Sequence, residues 1–214
     1  MPGAIHIRMR MLLTMTERLI IIGCMRYRDA NKKEKITLAA IQLINEVGLA
    51  ETSISKIAHK AGVSSGTIYV YFENKDDMIK KLFLTVKEHM QQKTLHGIDA
   101  SLATEPEFKQ ILNNYIDFFI NNKEYFLFFE QYINSPLIQK LCGEELQITG
   151  KPLLDFFEIG KERGIFKQTD INLLLTYAVS PLIQIAKKYF NGEFELTELI
   201  IDEMIQMSWD AIKA

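Results

Sequence analysis

The chain carries little equipment for covalent chemistry. Only two of its 214 residues are cysteines, Cys24 and Cys142. Two are too few for a disulfide framework, and their separation is not that of a metal site, so free thiols are expected. The four histidines, His6, His59, His89 and His96, are scattered. There is no H-E-x-x-H pair, no glycine-rich phosphate loop and no nucleophile elbow. The sequence therefore predicts no enzyme, no catalytic residue, no metal and no cofactor, an all-α enzyme being the remote alternative. Long apolar runs are also missing. Residues 11–13 and 19–22 form two short runs separated by a stretch that includes Thr16, Glu17 and Arg18. Neither approaches the roughly 18–20 residues that span a bilayer, and the charged break is misplaced for a signal peptide. No membrane partner and a cytoplasmic location are expected. No segment alternates apolar and polar residues as a half-buried strand does.

A strong excess of one charge is absent too. The net charge of −2 and pI near 6.1 exclude a non-specific coater of nucleic acid. The small net charge hides a split, however. Residues 1–27 carry a net +3, residues 28–81 a net +2, and residues 82–214 a net −7. A basic head on an acidic body implies local contact with an anionic partner.

What is present is helical punctuation. Residues 1–30 read as an N-terminal extension that is an extra helix or arm, a membrane- or DNA-touching tail, or an over-called start ahead of Met25, the last being the favoured expectation. From Asn31, a candidate cap, Ile36, Ala39, Ala40, Leu43, Ile44 and Val47 recur at helical spacing, and Gly48 ends the pattern. Ser53, Ser64 and Asn74 read as caps of helices over 53–60, 64–71 and 75–92. Five further helices are predicted over 106–121, 123–134, 152–163 (starting nearer 143 in a longer version), 170–190 and 197–213. The fold class is all-α.

Residues 52–75, TSISKIAHKAGVSSGTIYVYFENK, are the most specific stretch. Ala58 allows two helices to cross closely, Gly62 allows the left-handed turn, and Val63 plugs the corner. Ile54, Ile57 and Ile68 are expected to face Leu43, Ile44 and Val47, with Phe72 in the core. That leaves Ser65, Gly66, Thr67, Val70 and Tyr71 pointing outward on the second helix. This is a helix-turn-helix layout. Hydroxyls and helix N-terminal amides suit phosphates, and Val70 suits a thymine methyl group. Tyr69 and Tyr71 offer phenolic donors at the groove edge, and Lys75 is placed to grip the backbone. With no Arg or Asn on this helix for bidentate base contact, shape readout should matter.

Residues 32–80, and AGVSSGTIYVYFENK above all, closely resemble the DNA-binding domain of the TetR/AcrR family of bacterial transcriptional regulators. The departures are modest: Leu49 and Ala50 replace a frequent aromatic, and the leader is long. The resemblance implies a three-helix DNA-binding domain over 31–78, with Ser53, Ser55, Ser65, Gly66, Thr67, Tyr69, Val70, Tyr71 and Lys75 at the DNA. It further implies a larger helical ligand-binding and dimerisation domain over 79–214. The expected partners are a palindromic double-stranded operator, a second copy of the chain and a small-molecule effector. A ligand-released repressor is the expected role, with an activator or co-repressor-dependent regulator as the alternative. Residues 115–133, with Phe108 just before them, supply nine aromatics. Phe119, Phe126, Phe129 and Tyr132 are the candidate lining of a mostly apolar pocket. Tyr177, Leu182, Ile185, Met204, Ile205 and Trp209 are the candidate dimer interface.

Overall fold

The computed structural model describes the backbone of residues 15–214 and the side chains from Asn31 onward. Of the N-terminal extension expected over residues 1–30, with a start ahead of Met25, residues 1–14 fall outside the described residues and the rest is helical. Nine helices follow in order among the described residues: α1 (Met15–Glu51), α2 (Ile54–Ala61), α3 (Ser65–Tyr71), α4 (Lys75–Thr94), α5 (Glu105–Asn121), α6 (Lys123–Tyr132), α7 (Pro136–Glu162), α8 (Ile171–Phe190) and α9 (Glu198–Ile212). The only β-type pairing among them is one isolated bridge between Phe166 and Lys213.

Local chemistry sets most boundaries. Ser53, Ser64 and Asn74 cap α2, α3 and α4 by accepting the amides of Lys56, Thr67 and Asp77. Ser135, Asp170 and Thr197 do the same for α7, α8 and α9. Gly48 leaves helical geometry at φ 78°, and Gly62 takes the left-handed conformation at φ 66° that turns the chain from α2 toward α3.

Two boundaries differ from the sequence expectation. Asn31 does not begin a helix, because α1 is already helical from Met15; the polar run around it contains no glycine or proline to break the turn. The helix expected at 152–163 instead starts at Pro136 and runs 27 residues, with Pro152 inside it. Gly143, Gly150 and Pro152 look like breakers in sequence, yet Ser135 and Pro136 already provide a cap and a preset first turn.

The core is continuous. α1 packs on α2 and α6; α4 packs on α5, α6 and α7; α5, α8 and α9 pack on one another. Ile36, Ile44, Ile57, Ile68 and Phe72 hold the head together. Val47, expected among them, is 43% exposed, since the chain leaves helical geometry one residue later. At the far end the Phe166 ring occupies the space beside Gly160, where any Cβ would overlap it. Phe108, Phe156, Phe157 and Trp209 surround that ring.

Candidate nucleic-acid interface

The head presents α3 to solvent. Ile68 is fully buried while Val70 is 77% and Tyr69 58% exposed. A water-facing valine beside a water-facing tyrosine on a seven-residue helix is an apolar surface that awaits a partner. Ser65 and Thr67 are half-buried, and Ser53, Ser55 and Gly66 are exposed. The Thr67 hydroxyl lies 3.0 Å from that of Ser64, which fixes its rotamer. Tyr71 is half-buried and packs against the core, so its role is more structural than that of Tyr69.

Gly66 is informative because the protein itself does not need it. Its nearest neighbour to an added Cβ is the Ser64 hydroxyl at 3.9 Å, and its φ is not positive. A glycine inside a helix costs roughly 0.5–1 kcal/mol relative to alanine. The smallness is therefore suited to an approaching surface.

Two lysines frame this face. Lys75, exposed at the start of α4, reaches back to the carbonyl of Ala50 at 3.4 Å. Lys56 reaches the carbonyl of Glu51 at 2.8 Å. Neither is paired with a carboxylate among the described residues, so both ammonium groups can still meet phosphate. Lys60 is bound to Glu46 at 2.7 Å and is less available. A shallow groove of about 670 Å³ runs beside α2, lined by Leu43, Ser55, Lys56, His59 and Lys60.

One anchor was not foreseen from the sequence. Lys81 donates to the carbonyl of Tyr71 (3.0 Å) and to the Asp77 carboxylate (2.8 Å), bracing the end of α3 against α4. Asp77 also accepts the Glu73 amide at 2.9 Å. Burial pushes the Asp77 carboxyl up, but the Lys81 and Glu73 hydrogen bonds and the charge of Lys81 outweigh it and hold it below the ordinary aspartate range. The i,i+4 spacing of Asp77 and Lys81 was the available signal.

In the C-terminal half the candidate pocket rings lie in the interior. Phe119 and Phe126 are fully buried with centroids 4.9 Å apart, Phe129 stacks on Phe83 at 5.9 Å, and Tyr132 lies 5.1 Å from Phe128. The rings fill the interior. The Lys87 ammonium sits 5.6 Å from the centre of the Phe129 ring, and burial lowers its pKa.

Four of the six residues expected at a dimer interface are also interior: Leu182, Met204, Ile205 and Trp209 are each at most 8% exposed. They pack within the protomer, because α8 and α9 bury one face against α5 and each other. Ile185 is half-buried. Tyr177, the sixth, is 59% exposed, and Leu173, Leu199 and Met207 are exposed on the same two helices.

A capped three-helix head with an outward reader helix, carried on a larger helical body, defines a DNA-binding transcriptional regulator. Residues 36–82 match the family model "Bacterial regulatory proteins, tetR family", and residues 104–213 match "Tetracyclin repressor-like, C-terminal domain". The chain belongs to the TetR family. An uncharacterised helix-turn-helix regulator of Haemophilus influenzae is 24% identical over 189 residues, covering 88% of this chain and all of that protein. A TetR family transcription regulator from Marinobacter aquaeolei superposes with a TM-score of 0.79 at 24% identity, covering 88% of this chain and 98% of its own. The flavonoid-responsive regulator FrrA superposes at 0.60 with 25% identity, covering 85% and 94%.

Proposed function

We propose that the chain is a homodimeric, ligand-released repressor of a palindromic operator, acting in the cytoplasm. Residues 31–78 serve as its DNA-binding domain and 79–214 as its sensor and dimerisation domain. The observation that carries the reading is the exposed Tyr69–Val70 face on a helix whose other side is fully buried. Ser53, Ser55, Ser65, Gly66, Thr67, Tyr69, Val70 and Lys75 meet the DNA, with Tyr71 supporting the helix from behind. Two-fold pairing through Leu173, Tyr177, Leu199 and Met207 would place two reader helices about 34 Å apart, one DNA turn. The effector is mostly apolar and enters by parting the packed rings of Phe119, Phe126, Phe129 and Tyr132; the fold neighbour FrrA is a flavonoid-responsive regulator. Ligand shifts the population toward dimers whose reader helices no longer fit consecutive grooves. A coupling of about 1–3 kcal/mol changes operator affinity roughly 5–150-fold.

Gel shifts with duplexes from the chain's own promoter region test this. Thr67→Ala and Val70→Ala are expected to alter base preference. Tyr69→Phe and Lys75→Ala should both weaken all duplexes, and Lys75→Ala, which removes a charge, should also flatten the salt dependence. Absence of binding to any palindrome at low salt would overturn the reading.

A further inference from the structure

The head and the body are joined by more than the chain. Asn45, half-buried near the end of α1, donates its side-chain amide to the backbone carbonyl of Glu124 at 3.0 Å and to the Glu124 carboxylate at 2.9 Å. Glu124 lies in the first turn of α6, 79 residues away, where the helix dipole favours its charge. The Asn45 side-chain oxygen is buried and has no partner among the described residues. A residue present for packing alone would not leave a buried carbonyl unpaired; the donors are what the position uses. α6 packs along α1 beyond this pair, and burial pushes the Tyr132 phenol at its C-terminal end up. Asn45 thus ties α1 to the first turn of a ten-residue helix that carries Phe126, Phe128 and Phe129 into the interior.

We propose that the Asn45–Glu124 pair is a latch that fixes the tilt of the reader head on the body. Asn45 and Glu124 act as positioning residues, since neither touches DNA. The inference rests on the reading of the C-terminal half as a sensor, but its test needs neither effector nor operator.

Spin labels carried on p-acetylphenylalanine in place of His59 and Lys140 report the distance from head to body in the full chain, leaving both cysteines alone. Labelled chain is diluted into excess unlabelled chain, so that only distances within one protomer contribute. The native latch gives one narrow distance distribution. Asn45→Ala should at least double its width or add a second population, with a thermal midpoint within a few degrees of the parent. Glu124→Gln, which keeps both acceptors, should preserve the narrow distribution. If Asn45→Ala does not fold, Asn45→Asp, which replaces the donor by a charge facing Glu124, is read in the same way. A distribution in the Asn45 variant that superimposes on the parent overturns the latch. A parent chain that binds no palindrome in the gel shifts while its Asn45 variant still broadens would overturn the repressor reading and leave the latch standing.

Discussion

Gly66 separates what the fold requires from what DNA requires. Nothing within the protomer stands in the way of a side chain there, so Gly66→Ala should leave stability unchanged or raise it by roughly 0.5–1 kcal/mol. With the helix N-terminus set against phosphates as proposed, the same methyl group would project between the two. Operator affinity should fall about tenfold, or ~1.4 kcal/mol, in fluorescence anisotropy, while the thermal midpoint holds or rises. An unchanged affinity would mean that α3 enters the groove from another side. Val70 and Ile68 show why this face was legible in the sequence: two positions apart on a short helix, one ends largely exposed and the other fully buried. Asn45 was not legible. An asparagine within an apolar helical pattern carries no mark of the glutamate it meets 79 residues later.

Elements were most readable where a single side chain sets a boundary. Ser53, Ser64 and Asn74 all cap the helices expected of them, and Thr197, expected as the first residue of the last helix, is its cap. The start of α7 was hidden because glycine and proline at 143, 150 and 152 are tolerated once a 27-residue helix is packed along α4 and α8. The α3–α4 junction gives a pH prediction. The Asp77 carboxyl titrates below its ordinary value near 3.8 in the folded chain, so its contribution to stability is complete above that value and is lost as pH falls further. The thermal midpoint should hold between pH 7 and pH 5 and fall below about pH 4. Asp77→Asn should lower the midpoint at neutral pH and reduce part of the acid drop. The remainder belongs to groups such as Asp99, Glu145 and Asp210, whose carboxyls are shifted in the same direction by Ser101, Lys80 and Lys213. An acid drop identical in parent and variant would show that the Lys81 brace contributes nothing.

At the scale of the whole molecule, amphipathicity shows that α8 and α9 have more apolar surface than one face needs, but not which stripe stays inside. Leu174, Ala178, Leu182 and Ala186 follow one line along α8 into the protomer, and Leu173 and Tyr177 follow another outward. Introducing charge on the outward line tests the pairing. Tyr177→Glu combined with Met207→Glu should move the sedimenting species from twice the 24.7 kDa protomer mass to one, with a native helical spectrum and a weakened operator complex. The same substitutions at a surface that pairs with nothing would leave the mass unchanged. The 20 residues of α4 run from Lys75, beside the reader, to Thr94, buried in the body, a span of about 30 Å. A rotation of roughly 5° about the Thr94 end displaces the Lys75 end by ~2–3 Å, close to the length of one hydrogen bond. Bound and released protomers would then superpose almost perfectly. The difference between them would be visible only as the spacing of the two heads in the dimer.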